Sequence, residues 1–97
     1  MKSNEVIQIL QAHKESLAKE FGVKSLQLFG SVARDEATSS SDVDLLVEFN
    51  RPMGYFGLFS LQDYLEKLLN CSVDLGTANS LRPRIKENVM KDLVYVT

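Results

Sequence analysis

The sequence predicts an α+β fold, a sheet covered by helices. Short apolar runs of strand length recur along it, separated by longer segments whose apolar residues follow helical spacing. Glycine, asparagine, serine or proline stands at nearly every junction between them. The resulting order is α-β-α-β-α-β-α-β, which suits helices packed on a sheet.

Val6, Ile9, Leu10, Leu17 and Phe21 place an amphipathic helix over residues 3–21. Ser3 or Asn4 can cap its start and Gly22 can end it. Val23 to Phe29 reads as a strand stopping at Gly30. Residues 31–36 read as a single helical turn, followed by a polar loop over 38–41. Asp42 to Phe49 alternates, with Val43, Leu45, Val47 and Phe49 on one face and Asp42, Asp44, Leu46 and Glu48 on the other.

Pro52, Gly54 and Gly57 predict a loop over residues 50–57. Leu58, Leu61, Leu65 and Leu68 then predict a second helix ending near Asn70. Cys71 to Leu75 reads as a short strand ended by Gly76. Asn79 or Ser80 can cap a third helix, with Pro83 in its first turn, running to about Lys91. Leu93 to Val96 reads as a last strand. Strand order and direction are not legible at this level.

A chain of 97 residues predicts one domain, over residues 1–97. The net charge of −2 argues against generic nucleic-acid binding, which draws its affinity from basic groups. Cys71 is the only cysteine, so no internal disulfide forms. The first residues lack the profile of a secretory signal, and no apolar stretch approaches the ~20 residues that span a bilayer. A cytoplasmic protein without a membrane partner is the expectation.

Gly30-Ser31, ten further residues, then Asp42-x-Asp44 is the pattern that carries chemistry. A glycine at a strand end permits close approach of phosphate, and a helix beginning there offers free N–H groups. The Ser31 hydroxyl adds a donor, and Arg34 adds a fork of donors one turn on. Asp42 and Asp44 share a strand face with Cα atoms ~6.6 Å apart, so their carboxylates can meet at a divalent cation. Oxygen donors beside phosphate favour Mg²⁺, with Mn²⁺ as the alternative. Asp74, between Val73 and Leu75, can bring a third carboxylate to the same cation from a neighbouring strand.

With these residues the sequence resembles the minimal nucleotidyltransferases of the DNA polymerase β-like superfamily. The motifs are Leu28-Phe29-Gly30-Ser31-x-Ala33-Arg34, Ser41-Asp42-Val43-Asp44-Leu45-Leu46-Val47 and Val73-Asp74-Leu75. The resemblance spans nearly the whole chain and implies a mixed sheet with helices packed on it. It also implies an antitoxin that moves AMP from ATP to a tyrosine of a HEPN-domain RNase toxin. Gly30 and Ser31 would bind the phosphates, Asp42 and Asp44 would hold Mg²⁺, and Asp74 would complete the triad. The rival readings are nucleotidyl transfer to a small molecule and a module that silences its partner by docking alone.

One position departs from the family pattern. Small members often have glycine after the arginine of the first motif, where this chain has Asp35, followed by Glu36. These acids either face the triphosphate and weaken its binding, or suit a helix N-terminus. His13 is expected as a packed or edge histidine, and Cys71 as a small buried hydrophobe. Arg82, Arg84 and Lys86 suit either a phosphate or a solvated face. Tyr55, Phe56 and Phe59 suit a base, a partner surface or the core.

Overall fold

The computed structural model describes residues 2–36, 42–77 and 93–97. The helix expected from Asn79 or Ser80 to Lys91, with its three basic residues, lies outside the described residues, as does the polar loop over 38–41.

The N-terminal amphipathic segment forms two helices, α1 (Ser3–Ala12) and α2 (Lys14–Phe21), where the periodicity predicts one. His13 makes the break. Its N–H donates to the Leu10 carbonyl at 3.1 Å, three residues back. The Ile9 carbonyl, left over by that shortening, accepts a bond from His13 Nδ1 at 2.9 Å. A carbonyl only accepts, so Nδ1 carries a hydrogen there. The imidazole thus ends α1 on its own residue, as basic side chains do at helix C-termini. The apolar stripe continues through the break, with Val6, Leu10 and Leu17 fully buried. Gly22 ends α2 in the left-handed region, φ +66°.

Neither Ser3 nor Asn4 caps α1 with its side chain. Asp35 supplies the cap from 32 residues away. Ser3 N–H donates to Asp35 Oδ1 at 2.9 Å and the Ser3 hydroxyl to Oδ2 at 3.2 Å. Asp35 sits at φ +55°, which explains why glycine suits that position, and its carboxylate engages α1. The Ser3 amide bond holds the Asp35 carboxyl below its ordinary value. A depressed carboxyl stabilises the fold above its unfolded value, and that contribution is lost as pH falls through the folded one. Asp35→Gly should therefore relieve the backbone while removing the tie to α1. Thermal melting from neutral to acid pH should show a shallower loss of stability than wild type, and an unchanged acid profile would refute the cap.

The described strands are β1 (Val23–Phe29), β2 (Val43–Phe49), β3 (Val73–Thr77) and β4 (Val94–Tyr95), in the order β3-β2-β1-β4. β1 runs antiparallel to β2 and β4, while β2 and β3 are parallel. The parallel pair requires a crossover, supplied by α4 (Gly54–Leu69). This is the mixed sheet that the resemblance implies. Leu26, Leu28, Val43, Leu45, Val47, Val73 and Leu75 form the buried core with Val6, Leu10, Leu17, Leu61 and Leu65. The helices therefore cover one sheet face. Alternation sends Gln27, Asp44, Leu46, Glu48, Asp74 and Tyr95 to the other.

Element boundaries differ from expectation, most of all in α4 and β3. α4 begins at Gly54, inside the segment predicted as a loop. Gly57 N–H donates to the Met53 carbonyl at 3.2 Å, and the Met53 side chain lies where a Gly57 Cβ would stand. The early start leaves Tyr55 79%, Phe56 90% and Phe59 60% exposed, outside the core. β3 begins at Val73, two residues later than predicted, and runs through Gly76 to Thr77. Val73 is held by α4: its N–H donates to Glu66 and its carbonyl accepts from Gln62. Among the described residues β3 is an edge strand, and those bonds occupy polar groups on its outer side.

Candidate active site

β1 ends at Phe29, and the chain turns at Gly30, φ +76°, into the four-residue helix α3 (Gly30–Ala33). The turn is shaped around a carboxylate. Phe29 is paired with Asp44, and the Asp44 side chain lies against Gly30. A Cβ on Gly30 would collide with Asp44 Oδ2 and stand 3.1 Å from its Cγ. Glycine is required here for two reasons, the left-handed backbone and the space that the carboxylate takes. Ser31 follows, half-buried.

Asp44 stands directly across from Asp74 in the parallel β2–β3 register. Paired residues of neighbouring strands share a face, so both carboxylates lie on the side away from the helices. Asp42, exposed and two residues before Asp44, adds its charge just ahead of β2. Burial pushes the Asp44 carboxyl up from its ordinary value, and the charges of Asp74 and Asp42 push it further. The Arg34 guanidinium acts in the opposite direction. Arg34 is thus close enough to influence the acids, while its Nε donates to Glu36 Oε2 at 3.1 Å. Asp35 is engaged with α1 and Glu36 with Arg34.

The donor set suits a hard divalent cation. It consists of carboxylate oxygens alone, and the repulsion that raises Asp44 is what a bound cation would offset. Among the described residues, no three His, Cys, Asp or Glu side chains form a group able to hold a metal by themselves. Mg²⁺ takes one or two carboxylates and completes its shell with water and substrate phosphates.

A groove of about 680 Å³ lies further along the same strands, lined by Ser25, Gln27, Leu46, Glu48, Asn50 and Arg51 among others, and none of Gly30, Ser31, Asp42, Asp44 or Asp74 lines it. Sequence reading attached no role to Gln27 or Ser25. The signal available was two polar residues alternating with buried leucines on β1. Cys71 is a partly buried thiol packed against the core, and burial pushes it up from its ordinary value. Among the described residues, no helix is long and apolar enough to cross a membrane.

Known proteins resemble this chain in sequence and fold. The nucleotidyltransferase domain model matches residues 10–96. Protein adenylyltransferase MntA of Thermococcus cleftensis is 42% identical over 92 residues, 95% of this chain and 93% of that protein. The solved structure of a candidate minimal nucleotidyltransferase superposes with a TM-score of 0.74 at 35% identity, covering 97% of this chain and 95% of that one. A complex of an MNT antitoxin with a tri-AMPylated Shewanella oneidensis HEPN toxin gives a TM-score of 0.66 at 18% identity, a likeness of fold. It covers 94% of this chain and 71% of that one. With 87 consecutive positions under the domain model and a glycine turn built against paired aspartates, this chain belongs to the nucleotidyltransferase family, as one of its minimal members.

Proposed function

We propose that this chain is a Mg²⁺-dependent protein adenylyltransferase, the antitoxin that moves AMP from ATP to a tyrosine hydroxyl of a HEPN-domain RNase toxin. The observation that carries the reading is the Asp44–Asp74 pair in register, with Gly30 shaped around Asp44. The protein adenylyltransferase name of the Thermococcus relative and the AMPylated toxin in the Shewanella complex support the donor and the class of acceptor.

Gly30 and Ser31 bind the β- and γ-phosphates through backbone N–H groups and the Ser31 hydroxyl. Asp44 and Asp74, with Asp42 beside them, would hold Mg²⁺, or Mn²⁺ in its place, which would supply positive charge for the departing pyrophosphate. Arg34, already near the acids, adds positive charge on the phosphate side. Asp74, the more exposed partner of the pair, is placed to receive the acceptor's proton. The sheet contributes orientation: rigid strands keep the acids at one spacing while phosphate and hydroxyl are brought together.

The test uses the intact chain, a HEPN-domain partner, ATP and Mg²⁺. The partner should gain one or more AMP units by intact mass, and a chelator should stop the gain. A tight complex with no mass change would refute transfer and leave docking. Transfer confined to a small-molecule acceptor would refute the choice of partner.

A further inference from the structure

Gln27 is paired with Leu46 on one side and with Tyr95 on the other. Paired residues share a face, so Leu46, Gln27 and Tyr95 form one row across β2, β1 and β4. Asp44 lies on that face, two residues along β2 from Leu46. Burial agrees with the alternation: Tyr95 is 66% exposed, while Val96 is 1% exposed and Val94 packs against the core. Two strand spacings and a two-residue step put the Tyr95 and Asp44 Cα atoms about 12 Å apart, and a tyrosine hydroxyl stands about 6 Å from its own Cα. A carboxylate and the phosphate it faces across a cation span the remainder.

We propose that Tyr95 is an acceptor of AMP within the chain itself, a self-adenylylation site on the catalytic face. This rests on the adenylyltransferase reading above. Tyr95 Oη attacks the α-phosphorus of ATP, forming an O–P bond and breaking the bond from that phosphorus to the bridging oxygen. Pyrophosphate leaves, and the phenolic proton passes to water. The other described tyrosines are placed differently. Tyr64 packs on Phe21 with ring centroids 4.7 Å apart, on the helical side. Tyr55 follows the far end of β2, past Asn50, which is about 20 Å along the strand direction from Asp44. An AMP on Tyr95 would occupy the face before Asp44, so the modified chain should act more slowly on an external acceptor.

The test incubates the whole chain with ATP and Mg²⁺ and maps modified peptides by mass spectrometry. One AMP is expected on Tyr95, none on Tyr55, at a rate independent of protein concentration; Tyr95→Phe and Asp44→Asn should both remove it. A chain that adenylylates an added toxin while Tyr95 stays bare overturns this proposal and leaves the function standing. A chain that adenylylates nothing overturns both. A second readout needs no turnover: Mn²⁺ alone should broaden the NMR signals of the Tyr95 ring more than those of Tyr55 and Tyr64. If the Asp44 signals broaden while the Tyr95 ring stays sharp, the ring does not face the site and the proposal fails.

Discussion

Asp44→Asn is expected to lose nucleotidyl transfer by about 10³-fold or more while melting at a higher temperature than wild type. Asp44 is the acid at which every feature of the site meets. It faces Asp74, lies against Gly30 and feels Arg34 and Asp42. Several kcal/mol of charge stabilisation in the transition state depend on such a ligand, which is the source of the fold-change. The gain in stability has the opposite origin. Burial and neighbouring charges raise the Asp44 carboxyl, so its ionised form is disfavoured in the folded chain. That cost is present at neutral pH and disappears as pH falls below the unfolded value. A neutral amide removes it, an exchange of stability against activity common at functional sites. Label transfer from α-labelled ATP and thermal melting without metal check both halves. Undiminished labelling would remove Asp44 from the mechanism, and a lower melting temperature would contradict the electrostatic account.

Gly30→Ala is expected to damage stability and activity together. At φ +76° an L-residue costs about 1–2 kcal/mol of backbone strain, which in a domain of this size lowers the melting temperature by roughly 4–8 °C per kcal/mol. The added methyl also collides with Asp44 Oδ2, so the carboxylate must move. A displacement near 1 Å at a reacting centre costs about 10²-fold in rate. The two contributions separate in a double-mutant cycle. In an Asp44→Ala background the clash is absent, so Gly30→Ala should cost less stability there, leaving the backbone share. Equal costs in both backgrounds would show that the turn is not shaped around the carboxylate.

The elements that periodicity found were those whose stabilisation is local in pattern. Leucines at helical spacing located α4, and Gly22 and Asn70 marked helix ends because both adopt the left-handed region. The differences arose where a side chain from elsewhere took a backbone group. His13 took the Ile9 carbonyl and split one expected helix into two. Asp35 capped α1 across 32 positions, a relation that no window along the chain can show. At α4 the bond was of backbone to backbone: Gly57 N–H on the Met53 carbonyl carried the helix into the expected loop, and the neighbouring aromatics are exposed. Gln62 and Glu66 held Val73, where β3 begins.

For the site, the amino-acid order alone placed Asp44 on the strand face opposite Val43 and Leu45, since side chains alternate with a period of two; Asp42, predicted to open that strand, stands just ahead of it. The order also determined that a glycine turn precedes them, and that the chain carries a nucleotidyltransferase motif. Tertiary structure decided which neighbours those acids meet. The parallel pairing of β2 with β3 set Asp74 opposite Asp44, and the antiparallel pairings of β1 aligned Tyr95 with Gln27 and Leu46. The reason is physical: facing within a strand follows from local covalent geometry, whereas register between strands follows from burying the apolar faces of distant segments in one core.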